Sequence, residues 1–140
     1  MLKVNVFNAH PTRRIKTRDA ERYARRVLRR SGVEKARVSI VFVDSRFSRK
    51  MNRRHLGHDS ITDVISFTLE RKPVLEGEVY VNLDRARQQA KEYSVSFGNE
   101  VARLIIHGTL HLVGFEDSTR RKAQRMKAVE DRFLCYWFLA

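Results

Sequence analysis

FGNEVARLIIHGTLHLVGFED, residues 97–117, decides how the rest of this sequence is read. Val101, Leu104, Ile105 and Leu112 recur at the interval of an amphipathic helix, predicted from about Phe97 to Val113, and Gly114 ends it. His107 and His111 stand four residues apart and therefore project from one face, where two imidazoles can reach one metal ion. The apolar positions bury the helix and partly dry the histidines, and neutral imidazole is the ligand form. A third ligand has to come from outside the helix. After the glycine turn the chain doubles back and presents Glu116 and Asp117, either of which can complete the site. Two histidines and one carboxylate leave a fourth position for water, the open arrangement of catalytic zinc; the same set also suits iron or manganese. Gly108 stands where an HExxH protease carries its glutamate base, so the helix does not support a protease.

Upstream, ITDVISFTLE (61–70) and EGEVYVNL (76–83) read as strands, joined antiparallel through a polar segment that contains Pro73. RVSIVFV (37–43) is β-branched enough for a central strand, and Val4, Val6 and Phe7 mark a first strand that ends before His10-Pro11. Ala20, Tyr23, Ala24, Val27 and Leu28 define a helix with Thr17 as its expected N-cap and Gly32 as its stop. DSRFSRKMNRR continues as a second helix capped by Asp44 or Ser45, and Leu56 to Asp59 reads as a loop. Residues 84–94 form a helix with Ala86, Gln89, Ala90 and Tyr93 on one side. A last helix starts near Ser118 or Thr119 and carries Met126, Val129 and Phe133. Helices and strands mix without regular alternation after residue 60. The expected fold is therefore α+β, a small mixed sheet of about four strands with helices packed on it, in a single domain over residues 1–140.

No stretch approaches the roughly 20 apolar residues of a membrane span, and MLKVNVFNAH lacks the apolar core of a secretory signal; the expected address is the cytoplasm, with no membrane partner. The one cysteine, Cys135, is expected to be buried packing in an apolar run. The net charge of +13 is uneven: residues 1–60 hold 17 Lys/Arg against 5 Asp/Glu, residues 61–140 hold 12 against 11. Concentrated positive charge favours a polyanion, so nucleic acid or a ribonucleoprotein surface is the expected partner. Arg22, Arg25, Arg26, Arg29 and Arg30 outnumber Asp19 and Glu21 on their helix and are the first candidates for phosphate contact.

The spacing H-x3-H-x5-D across a glycine turn is more specific than the histidine pair alone. HGTLHLVGFED resembles the HGxLHLxGYDH signature of the YbeY-type endoribonucleases. The resemblance continues through TDVISF (62–67), GEVYVNLD (77–84) and RQQAKEYSVSFGNEVARLIIHG (87–108), covering about residues 35–135; the N-terminal helix matches only in character. It implies a zincin-like metal helix with one Zn2+ per chain on His107, His111 and Asp117. It further implies single-strand-specific endoribonuclease activity in rRNA maturation and ribosome quality control, with rRNA and the small ribosomal subunit as partners, alongside a small-subunit ribosomal protein and an assembly GTPase.

Two departures stand out. The family's third histidine falls on Asp117, with Glu116 in place of the preceding acid, and an anionic ligand lowers the charge of the centre, so a more alkaline activity optimum is expected. The family's Tyr-Arg pair is His55-Leu56 here, leaving Arg53 or Arg54 to contact phosphate in the arginine's stead. Glu116, His55 and His58 are the candidate bases or phosphate contacts, and Asp63 is expected to anchor the TDVISF turn. The chemistry expected is attack on a phosphodiester by water or by the RNA 2′-OH. The rivals are a non-catalytic ribosome-binding assembly factor with a structural metal, and a metallohydrolase for another substrate.

Overall fold

The structure, a computed structural model, describes residues 1–57 and 59–139, with side chains as far as Cys135; His58 lies outside the described residues. The elements run β1 (Leu2–Asn8), α1 (Thr17–Arg30), β2 (Ala36–Val43), α2 (Ser45–Met51), a π-helical turn (Asn52–Leu56), β3 (Val64–Glu70), β4 (Leu75–Asn82), α3 (Leu83–Glu92), α4 (Phe97–Leu112) and α5 (Arg120–Leu139). The α+β expectation holds. The four strands form one sheet in the order β1-β2-β4-β3, with β1, β2 and β4 parallel and β3 antiparallel at the edge.

Alternation along each strand gives the sheet two different faces. Val4, Val38, Ile40, Phe42, Val79 and Val81 point inward, against α1, α3 and α4. Val101, Leu104, Ile105 and Leu112 complete this core from α4. A second cluster joins Val27 of α1, Ala102, Ile106 and Leu110 of α4, and Met126 and Leu134 of α5. So α4 is buried on nearly every side, and its histidines open where α5 and the chain after Gly114 leave room.

Two glycines let α4 lie this close. A Cβ on Gly77 would meet the Leu112 methyls at 2.7 and 2.8 Å, and one on Gly108 would meet Val79 Cγ1 at 2.4 Å. Gly108 therefore faces the sheet, and a glutamate there would have to displace β4; the position has no room for a protease-type base.

Several boundaries differ from the sequence reading. Thr17 is the first residue of α1, with Lys16 at the cap position and no side-chain cap. Asp44 caps α2 by accepting from the Phe47 amide, at 2.9 Å. The stretch expected as a loop from Leu56 begins inside the π-helical turn, which closes at Gly57 with φ 69°. Tyr93 is 60% exposed because α3 has already ended at Glu92, whereas Ala86, Gln89 and Ala90 are buried as expected. Cys135 is exposed, not packed. The buried stripe of α5 runs through Met126, Glu130 and Leu134, and one further residue turns the side chain by about 100° toward solvent.

Candidate metal centre

The C-terminus of α4 explains how the third candidate ligand arrives. Phe115 N–H bonds the Leu110 carbonyl at 3.0 Å and Gly114 N–H the His111 carbonyl at 3.1 Å, the two bonds of a Schellman turn. Gly114 takes φ 107°, which a side chain would resist, and the chain reverses. Phe115 packs into the second cluster beside Leu110, the apolar contact that accompanies this turn. Its carbonyl then accepts from His111 Nδ1 at 2.9 Å. Two residues later Asp117 reaches back over the histidines.

The three candidate donors converge. His107 Nε2 and His111 Nε2 are 3.0 Å apart, and Asp117 Oδ2 lies 3.4 Å from the first and 3.5 Å from the second. Donors about 2.0–2.1 Å from a tetrahedral zinc stand about 3.3–3.4 Å from one another, so the two histidine–carboxylate edges match such an ion and the histidine pair would open by only a few tenths of an ångström. No other protein donor closes its fourth side among the described residues. His107, His111 and Asp117 could thus hold a metal ion with one position open.

The Nδ1 atoms are spoken for, which leaves the Nε2 lone pairs for the site. His107 Nδ1 donates to Glu130 Oε2 at 2.6 Å. Glu130, 5% exposed, is itself held by Arg103 Nη1 at 2.9 Å, and Arg103 Nη2 reaches Asp131 at 2.5 Å. Burial works against protonating His107, but the Glu130 carboxylate, with Asp117 and Asp63 beyond it, outweighs burial and raises the pKa.

Glu130 is the residue the sequence reading missed. Its signal was present: it sits one turn after Met126 and one before Leu134 on the buried stripe of α5, where an acid has to have a partner.

Of the candidate bases, Glu116 points to solvent, bonded to Lys122 Nζ at 2.8 Å, and that ammonium lowers its pKa. His55 packs edge-on against Phe67, ring centroids 5.5 Å apart. The Asp63 carbonyl accepts from the Asn82 amide at 2.8 Å, holding the start of β3 to the end of β4. The candidate RNA contacts fall in two places. On α1, Arg22, Arg29 and Arg30 are exposed, Arg25 pairs with Glu21 and bonds the Leu2 carbonyl, and Arg26 is half-buried beside Leu110 and Phe115. On the π-helical turn, Arg54 is exposed and Arg53 is bidentate to Asp59. Among the described residues, no helix is long and apolar enough to cross a membrane.

The family profile of endoribonuclease YbeY matches residues 5–137. The endoribonuclease YbeY of Chloroherpeton thalassium is 42% identical over 112 residues, 80% of this chain and 79% of that protein. That of Salinibacter ruber is 33% identical over 140 residues, 94% of this chain and 89% of its own. A solution structure of a Thermotoga maritima protein superposes with a TM-score of 0.66 at 22% identity, over 96% of this chain and 91% of that one, which speaks to the fold.

Proposed function

The chain belongs to the endoribonuclease YbeY family, and from that premise we propose that it is a zinc-dependent, single-strand-specific endoribonuclease acting in rRNA maturation and ribosome quality control. The observation that carries the metal dependence is the His107–His111–Asp117 triangle with one side open. A bound metal would supply Lewis acidity at a phosphodiester oxygen. The protein's part is positional. Glu130 and the Phe115 carbonyl fix both imidazoles with Nε2 forward, and the Schellman turn holds Asp117 above them. Asp117 also brings a negative charge where a phosphate would approach, so substrate attraction has to come from the basic residues around the site rather than from the centre alone. We assign rRNA and the small ribosomal subunit as partners, with the net charge of +13 in support, and the cytoplasm as the place of action.

The test is elemental analysis of untagged protein combined with cleavage of a single-stranded RNA. Wild type is expected to carry about one zinc per chain and to cut. His111→Ala and Asp117→Ala, checked for folding, are expected to lose both, with activity falling by more than about 100-fold. Folded wild type without metal, or with metal and no cleavage, would instead favour the non-catalytic ribosome-binding factor.

A further inference from the structure

The face of the sheet turned away from α4 displays aromatic side chains. The strand register sets Phe7, Val41, Tyr80 and Ile65 side by side in one row across β1, β2, β4 and β3. Phe7 is 53% exposed. Phe47 of α2, 44% exposed, stacks on Tyr80 with centroids 6.1 Å apart and planes at 24°. Phe67 meets Tyr80 edge-on at 6.0 Å. Rings in this number on a surface do little for the core, because the inner face already holds it.

Charge flanks the rings. Arg46, Arg49, Lys50 and Arg53 line a surface pocket of ≈ 560 Å³ with Ser45 and Ile61, and no acid is part of the lining. Arg49 and Arg53 both grip Asp59, each with Nε at 2.7 Å from Oδ1. One carboxylate thus holds two guanidiniums in a fixed fork, and it offsets one of four positive charges.

We propose that this outer sheet face and α2 form a second single-stranded RNA surface, distinct from the metal centre, with bases stacked on Phe47, Tyr80 and Phe7 and phosphates on the α2 pocket. A four-stranded sheet displaying aromatic side chains beside basic ones takes splayed bases in this way. The chemistry favours nucleic acid over an acidic peptide because the exposed part of this surface is led by flat rings, Phe7 and Phe47 with Tyr80 beside them, whose π-faces suit bases. Helix α1 carries more arginines, but its aromatic residue, Tyr23, packs against the core. It offers charge without a stacking surface. Edge strand β3 joins the two sites: Ser66 Oγ donates to the Gly108 carbonyl next to His107, at 2.9 Å, while Phe67 lies on the opposite face. A strand of RNA held on the outer face can therefore pass around one β-strand to reach the metal. The inference rests on the RNA reading of the family, but not on cleavage.

The experiment is binding of a fluorescent oligouridine to full-length protein in EDTA, with 4-thiouridine crosslinking to map the contacts on wild type. Phe47→Ala is expected to weaken binding roughly tenfold through the loss of one base–ring stack. Arg46→Glu with Lys50→Glu is expected to weaken it further and flatten its salt dependence. Crosslinks should fall on peptides containing Phe47 or Tyr80, a result independent of whether any variant folds. Crosslinks confined to α1 or α5, or binding unchanged in folded Phe47→Ala, would overturn the outer face and leave the nuclease reading intact. So would an oligomer of the chain that Phe47→Ala dissociates without any change in RNA binding. No binding by wild type would also overturn it, and cleavage assays would then decide the nuclease reading separately.

Discussion

His10 and His107 are both largely buried and both bonded to a carboxylate, yet their rings are set in opposite senses. At His10, Nδ1 accepts from the Thr12 and Arg13 amides at 3.2 and 3.1 Å, so the proton sits on Nε2 and is donated to Asp84 Oδ1 at 2.7 Å. Both nitrogens are consumed, and the ring is a pin that ties the chain after β1 to the start of α3. At His107, Nδ1 takes the carboxylate and Nε2 is left facing His111 and Asp117. The lesson is that a histidine's role is decided by what its other nitrogen is bonded to, and the two sites predict different mutant phenotypes.

The largest difference concerns Glu130. Glu130→Gln keeps the shape but removes the anion that orients His107, and metal affinity is expected to fall about 10–100-fold by competition with a chromophoric chelator. An unchanged affinity would mean that His107 is held by packing alone. His10→Ala should do the reverse. It leaves two amides and Asp84 without their partner, so urea unfolding should show a loss of about 2 kcal/mol while zinc content per folded chain stays at the wild-type value. A loss of zinc in folded His10→Ala would erase the distinction between pin and ligand.

Asp84 sharpens the comparison through pH. Partial burial would raise its pKa, but the His10 bond, the Ser45 amide at 2.9 Å and the nearby charge of Arg13 outweigh it and bring the pKa below its ordinary 3.8. A depressed acid stabilises the fold above its unfolded pKa, and that stability is lost as pH falls through the folded value. Wild type should accordingly lose stability below about pH 4 more steeply than Asp84→Asn, whose deficit at pH 7, about 1 kcal/mol, should shrink in acid. Parallel pH profiles for the two proteins would show that the carboxylate charge contributes nothing. The smallest effect is expected at the metal: Asp117→His restores a neutral ligand, and the pH profile of RNA cleavage should move toward acid. An unmoved or more alkaline profile would sink the argument from ligand charge.

Much of this was legible in one dimension, and unevenly. The periodicity of Val101, Leu104, Ile105 and Leu112, the four-residue histidine spacing and the glycine turn placed two candidate ligands and narrowed the third to Glu116 or Asp117. Those are local signals, set within a few residues by helix geometry and by Gly114's freedom at positive φ. Resemblance favoured Asp117, and the Schellman turn is what carries it, rather than Glu116, over the histidines. Glu130 could not be paired with His107 from the sequence, because 23 residues separate them and the packing of α5 on α4 decides that they meet. Nor could composition separate the basic residues of α1 from those of α2.

What the sequence determined by itself is the set of elements, the mixed α+β class and the half-site on α4, since each follows from interactions between near neighbours along the chain. What only the tertiary structure decided is the strand order β1-β2-β4-β3, the orientation of His107 by a buried acid on another helix, and the gathering of Phe7, Phe47 and Tyr80 on one face. These depend on which surfaces meet when the apolar faces are buried together, and that choice is made by close packing across the whole domain rather than by any single segment.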